Sequence, residues 1–450
     1  NMIGKQVSQF VDKGFDRTLE RFIKTPTSHI LVIGFAAVIL IGGLLLWLPI
    51  SHNPGQNISF LDAVFEAGSA VCVTGLTTVG VGNTFNFFGR LVMAVLIQIG
   101  GMGIVLLGIF MILLTGGKLN MKARSLFVAA QNLFGFSQVA DLAKKIIKLM
   151  FGIEFAGALV SWPIFAADFG WWKGLGYAAF HSVSAFNNAG FDILGGTDSL
   201  ISYADNVPMN LVTTLLVILG SFGFIAMIDV WYNKFKWKPL LLSTKISIVM
   251  TASLLFGGTL LLKLTSDMTW LQAWFQSVIA RTAGFSTISL ADVRTPALLV
   301  FTILMFIGAN PNSTGGGVKT TTVFAAGLKA ISSSVGHDED AVFHRRIPNR
   351  IFTQANVVIF FMLNVVVGAT FLILCLEPNV DLMAAVIEVT SAAATVGSTM
   401  GITQSLCAWS KIIIILVMFI GRVGPVTMAN LLQLDDEKRA RFTDEDILIG

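Results

Sequence analysis

Four short stretches of this chain carry residue types from which a cation site can be built without any reactive side chain. The fullest is Thr395-Val396-Gly397-Ser398, which follows the small-residue segment Ser391-Ala392-Ala393-Ala394. Three looser copies lie upstream: Val73-Thr74-Gly75-Leu76, Asn188-Ala189-Gly190-Phe191 and Thr282-Ala283-Gly284-Phe285. Backbone carbonyls of a Thr-Val-Gly run can replace the hydration shell of an ion. Glycine at the shared position permits φ above zero and a close approach of backbone to the ion. A lone glycine of this kind serves helix packing equally well. Recurrence in matched context is what favours an ion site.

The context does match. Phe65-Glu66, Phe180-His181 and Phe275-Gln276 precede their glycines at similar distances, the third pair one residue closer. A second anchor follows each segment, in Ile99-Gly100-Gly101, Leu219-Gly220-Ser221, Ile307-Gly308-Ala309 and Ile420-Gly421-Arg422. Three of the four spacings between the anchors are nearly equal, and the second is longer. Other chemistry finds little support. His29, His52, His181, His337 and His344 form no ligand pair, and Cys72, Cys375 and Cys407 show neither metal-ligand spacing nor a disulfide framework. No catalytic residue, no covalent cofactor and no nucleic-acid partner is expected.

These segments need elements to hold them. The 450-residue chain is 54% hydrophobic and only 12% charged, against about 25% charged in soluble domains. Its apolar runs recur at the length of roughly 20 residues that crosses a bilayer. They alternate long, short, long, four times over: Ile30 to Ile50 and Leu91 to Leu114; Ile147 to Phe165 and Met209 to Val230; Ile246 to Leu264 and Leu298 to Gly308, with a polar interruption before Val323; Val357 to Leu376 and Ile412 to Leu432. Basic residues crowd 1–24, 118–148, 234–245, 329–350 and 438–441, and the opposite loops are nearly free of them. The bias of Lys and Arg toward the cytoplasm therefore puts both termini inside, with each short segment entering from outside. The expected fold is an all-α integral membrane protein: four helix–re-entrant pore loop–helix repeats, eight transmembrane helices, pseudo-fourfold around one pore. The repeats are assigned to 29–116, 117–232, 233–336 and 337–433, between cytoplasmic ends 1–28 and 434–450. In the first of these ends Val7, Phe10, Val11, Phe15, Leu19 and Phe22 suggest an amphipathic helix on the membrane surface rather than a cleaved signal.

Three further features stand out. The last helix of repeat three is interrupted by Gly308-Ala309-Asn310-Pro311-Asn312-Ser313-Thr314-Gly315-Gly316-Gly317-Val318-Lys319. Such backbone is tolerated at membrane depth only inside protein or along a cavity. A phosphate loop is the rival reading, but the required spacing to Lys-Ser/Thr is absent and no strand precedes it; a plain surface loop is opposed by the apolar flanks. Arg422 sits in mid-helix, where insertion costs roughly 2.5–3.5 kcal/mol unless the charge is partnered inside the protein. Glu66, His181, Arg281 and Glu388 read as residues behind the four segments, bonding backbone and one another, and Asp192 as a carboxylate facing the outer mouth.

Together the four glycine segments, the repeat-three interruption and Arg422 resemble the Trk/Ktr/HKT superfamily of potassium transporters, most nearly its KtrB-type bacterial membrane subunits, over nearly the whole chain. The resemblance implies that potassium, the substrate, is held at the filter carbonyls, and that four glycines go with potassium preference. It implies that 308–319 is an intramembrane gate loop, and that Arg422 pairs with it as a barrier to cations. It also implies a homodimer in the plasma membrane, contacting membrane lipids and docked on a cytosolic KtrA-type ring that carries the nucleotide. The basic stretches 118–148 and 345–350 are candidate docking surfaces, and sodium is a candidate activator. A Na+- or H+-coupled secondary transporter is the alternative within the superfamily, and a membrane-embedded enzyme the alternative outside it.

Overall fold

The computed structural model describes residues 27–114, 125, 139–196, 199–335, 341–424 and 427–428. The surface helix expected before residue 27, the basic residues Lys118, Lys122 and Arg124, and the 434–450 tail lie outside the described residues. The described chain is mostly helical. Its one sheet is a two-stranded hairpin of β1 (Ala341–Val342) and β2 (Arg345–Arg346).

Each repeat holds a first helix, a short buried helix and a second helix. The first helices are α1 (Thr27–Trp47), α5 (Val139–Phe169), α9 (Leu242–Thr265) and α13 (Asn349–Leu376). Among the described residues these four are long and apolar enough to cross a membrane. Their outer faces expose large apolar side chains such as Ile33, Phe155, Phe256 and Phe360, as lipid contact requires. The short helices are α2 (Phe60–Cys72), α6 (Trp171–Phe186), α10 (Trp270–Ala280) and α14 (Leu382–Ala394). Side-chain caps start three of them: Ser59 accepts from Asp62 N, Thr269 and Gln272 form a capping box, and Asp381 accepts from Met383 N.

The second helices depart from the continuous spans read from hydropathy. Leu91 to Leu114 is two helices, α3 (Phe87–Met102) and α4 (Ile104–Leu114), bent by 102°. Met209 to Val230 divides into α7 (Val207–Phe222) and α8 (Phe224–Tyr232), bent by 92°. In repeat three the interruption parts α11 (Thr295–Phe306) from α12 (Thr320–Val335), and α15 (Ala408–Val423) ends at Gly424. Hydropathy averages over a bend and so misses it. At both bends the break is a glycine in a conformation closed to other residues, Gly103 at φ 76° and Gly223 at 94°, and Gly424, which caps α15, has φ 93°. Each lies three residues past the second-anchor glycine of its repeat.

Packing closes the four repeats into a ring. Every short helix rests on its own first helix, α1 with α2, α5 with α6, α9 with α10 and α13 with α14. Every second helix also packs on the short helix of the next repeat: α3 on α6, α7 on α10, α11 on α14, and α15 back on α2. That last contact carries a partly buried ion pair, Lys411 Nζ to Asp62 Oδ1 at 2.7 Å, joining the ends of the chain.

Candidate ion-conduction site

The short helices end in the four glycine segments, and local geometry explains how. In repeats one, two and four the residue two before the glycine is left-handed: Val73 at φ 57°, Asn188 at 61° and Thr395 at 52°. The next amide then reaches back to a helix carbonyl, Thr74 N to Ser69 O, Ala189 N to Ser184 O and Val396 N to Ser391 O, each at 2.8 Å. This is a Schellman termination. It turns the chain out of the helix and leaves the next carbonyls free of helical partners. Repeat three ends differently, since Ala283 N bonds Ile279 O and no residue there is left-handed. The shorter spacing from Gln276 to Gly284 is the sequence trace of that missing turn.

One expectation is corrected here. Gly75, Gly190 and Gly397 do have positive φ, of 95°, 70° and 95°, whereas Gly284 does not. In repeat three the small size of glycine is needed, and the left-handed region is not.

The four glycines meet. A Cβ built on any one would fall within 3.0 Å of the next segment in cyclic order: Gly75 against Ala189, Gly190 against Gly284, Gly284 against Gly397, and Gly397 against Thr74. All four also line one cavity of about 240 Å³, with Asp192, Ser286, Ser398 and Thr399 on its walls. Val73, Leu76, Ala189, Phe191, Ala283, Phe285 and Val396 are buried behind it, as are Thr74, Asn188, Thr282 and Thr395.

The residues behind the segments act as struts. Glu66 Oε1 accepts from Thr78 N at 2.7 Å, and Glu388 accepts from the hydroxyls of Thr399 and Thr403 at 2.6 and 2.5 Å. Gln276 Nε2 donates to Ser286 Oγ at 3.2 Å. Each ties its helix to the chain just past its own glycine. His181 instead contacts Thr213 Oγ1 of α7 at 3.0 Å. Glu66, His181, Arg281 and Glu388 do not hydrogen-bond one another, contrary to expectation. Glu66, His181 and Glu388 are instead spent on their own repeats. Arg281 is 1% exposed, with Nε and Nη2 unpartnered.

Sequence reasoning missed the serines that clamp three segments. Ser69 Oγ accepts from Gly75 N at 3.0 Å, Ser391 Oγ accepts from Gly397 N at 2.9 Å, and Ser184 Oγ donates to Phe191 O at 2.7 Å. The signal was present, because each lies six residues before its glycine. The second-anchor glycines also acquire a reason. Gly100, Gly220 and Gly421 face the carbonyls of Val71, Phe186 and Ala393 at the ends of the short helices, where no Cβ fits.

The interruption 308–319 packs on the helix-end side of the segments, away from the cavity. It begins and ends as a tight pair, with Ile307 bridged to Val318 and Gly308 N bonded to Val318 O at 3.0 Å. Asn310 N, Thr314 N and Asn312 O bond Ser221, Gly220 and Phe224 of repeat two at 3.1, 3.2 and 2.8 Å. Asn310 Nδ2 reaches Phe222 O and Thr251 Oγ1 at 3.2 and 2.9 Å, and Ser313 Oγ donates back to Asn310 O at 2.6 Å. The Thr314 hydroxyl meets both the Asn188 side chain and Phe186 O, at 2.9 and 3.2 Å. Gly315 abuts Thr282 and Gly316 abuts Thr395, with no room for a Cβ. Gly317 takes φ 74°, and Lys319 Nζ donates to Gly315 O at 2.6 Å. Ala309 and Val318 are buried, and Pro311 partly so. Arg422 completes the arrangement: Nη1 donates to Thr314 O and Nη2 to Gly100 O. The arginine expected to need a partner has two, both backbone carbonyls.

Comparisons with known proteins agree with this architecture. Residues 16–247 and 236–438 match the family model TrkH, described as a cation transport protein. The chain is 34% identical to Ktr system potassium uptake protein B of Bacillus subtilis, covering 96% of this chain and 98% of that protein. It is also 34% identical to potassium/sodium uptake protein NtpJ of Enterococcus hirae, covering 94% of this chain and 97% of that one. The crystal structure of the potassium transporter TrkH from Vibrio parahaemolyticus shares the fold at a TM-score of 0.73 and 21% identity, over 91% of this chain and 86% of that one. This is a multi-pass membrane protein, and the chain belongs to the TrkH family of cation transport proteins.

Proposed function

We propose that this chain is the ion-translocating subunit of a potassium uptake system, passing K+ through a filter built from the carbonyls of 73–76, 188–191, 282–285 and 395–398. One observation carries the reading. The four glycines lie edge to edge in cyclic order at the floor of a single cavity. Segments that leave their helices by a Schellman turn expose carbonyls, and the C-terminal ends of four helix dipoles add negative potential there. A ring of carbonyls at such a point replaces the water lost by a cation. The names of the relatives from Bacillus subtilis and Enterococcus hirae support potassium as the ion, and the second makes sodium the competitor to measure.

On this reading the short helices are re-entrant, eight helices span the plasma membrane, and both termini are cytoplasmic. The loop 308–319 is the gate: it closes the path beneath the segments, and Arg422 holds it there while adding a positive barrier. The subunit forms a homodimer and docks on a cytosolic nucleotide-binding ring. Parallel repeats around one axis favour a gated path over the inverted repeats of alternating access.

The test is cation flux into liposomes holding the purified chain, under potassium and then sodium gradients. Flux with a potassium preference that weakens on Gly397→Ser supports the filter. Saturable flux that requires a second ion, with selectivity unchanged by the substitution, favours a coupled transporter instead.

A further inference from the structure

Behind the second segment lies a buried polar cluster of Glu154, Asn187 and Gln98. Glu154 occupies the middle of α5, far from either end of a 31-residue helix. It is 6% exposed, and no basic side chain pairs with it among the described residues. Its Oε1 accepts from Asn187 Nδ2 at 2.9 Å. The same nitrogen lies 2.9 Å from Gln98 Oε1 of α3 and 2.9 Å from Val183 O, so its two hydrogens are shared among three acceptors. Asn187 is the residue that joins α6 to the segment Asn188-Ala189-Gly190-Phe191. Its Oδ1 lies against Gly101, which has no side chain to displace it. The backbone of α5 at this residue is also tied to α6, because Ser182 Oγ donates to the main-chain carbonyl of Glu154 at 2.6 Å.

A carboxyl at mid-span is costly, and one that persists there without a counter-ion needs a task. Three elements from two repeats converge on one amide nitrogen at the root of the second segment. Repeats one and four place Val73 and Thr395 directly after their short helices. Repeat two has Asn187 in αR conformation before its left-handed Asn188, so its turn starts from a residue that can be gripped through its side chain. Repeat two also lacks the strut that Glu66 and Glu388 give their own segments, since His181 bonds Thr213 instead.

We infer that Glu154 is a positioning residue for the second segment, acting through Asn187 to hold the Asn188–Phe191 carbonyls in register for ion discrimination. The inference rests on the filter reading above. Its chemistry is that of a hydrogen-bond acceptor, not of a charge in the path. Glutamine keeps an acceptor oxygen at the same reach, and alanine does not.

The experiment compares Glu154→Ala, Glu154→Gln, Asn187→Ala and the Glu154→Ala/Asn187→Ala double variant in liposomes. Potassium-to-sodium preference should fall about tenfold in Glu154→Ala, the scale of one lost hydrogen bond, and stay near wild type in Glu154→Gln. The double variant should match Asn187→Ala alone, because the two residues act in series. Deuterium exchange at the amides of 188–191 supplies a readout that needs no transport. It should quicken in Glu154→Ala and not in Glu154→Gln. Were the wild-type chain to carry no cation, the filter reading would fail while exchange still decided whether Glu154 holds the segment. Additive losses in the double variant, Glu154→Gln behaving as Glu154→Ala, or unchanged exchange at 188–191 would each overturn the inference.

Discussion

Replacing Arg422 by alanine removes the donor to Thr314 O and the donor to Gly100 O. Only the first touches the loop; the second steadies α3. A hydrogen bond from a charged donor contributes about 1.5–3 kcal/mol, and each 1.4 kcal/mol is about tenfold in an equilibrium. The open population of the loop should therefore rise about 10- to 100-fold. Flux follows until opening no longer limits it. The rise is bounded because Asn310, Asn312 and Thr314 remain bonded to repeat two. Arg422→Lys should fall between, since one ammonium keeps the charge but lacks the planar fork that reaches two carbonyls. The assay is rubidium uptake into proteoliposomes, with thermal unfolding of each variant to establish that it is folded. A folded Arg422→Ala protein with wild-type flux would refute the role of Arg422 as latch and barrier.

Other consequences follow from the same geometry. Among the four glycines Gly284→Ala should be the least harmful, because its φ is not left-handed and its nearest would-be contact is 2.9 Å from Gly397 Cα. Alanine at 75, 190 or 397 adds about 1–2 kcal/mol of left-handed strain to the clash, so unfolding temperature and potassium preference should drop further in those three. Gly223→Ala and Gly103→Ala carry similar strain, yet only the Cβ at 223 meets the loop, at Pro311 O. The first should alter flux and stability together, and the second stability alone; equal effects on flux would show that the loop contact is unimportant. Glu377, just past α13, accepts from Cys407 N at 2.6 Å. Burial works against its ionisation, but the Cys407 amide and the Ser410 hydroxyl hold its carboxyl below the ordinary value of 4.5. A group lowered in the folded state stabilises above its unfolded pKa and loses that contribution as pH falls through the folded value. Thermal stability should decline below about pH 4.5, and Glu377→Gln should remove part of the decline; an identical pH profile would argue against it.

Much of this was legible in the sequence, for identifiable reasons. Four glycines in matched context predicted four meeting segments, and three of the four repeat one local turn. The one-residue contraction before Gly284 marked the repeat whose helix ends without a left-handed residue. Arg422 and the 308–319 interruption stood out because charge and unwound backbone are costly at membrane depth. Three features were not read. The bends at Gly103 and Gly223 were hidden, since an apolar run looks the same straight or broken. The serine clamps were present as a spacing, but serine at the end of a helix is too common to attract notice. The Glu154–Asn187–Gln98 cluster depends on side chains 33 and 89 residues apart, and only the packing of α3 and α5 against α6 brings them together.

The measurement that bears most directly on the central claim is the position of an anomalously scattering potassium analogue, thallium or rubidium, in crystals of this chain. The account predicts density on the axis enclosed by Gly75, Gly190, Gly284 and Gly397, lost in a Gly190→Ser variant that still folds. Ion density confined to another part of the molecule, with flux intact, would contradict it.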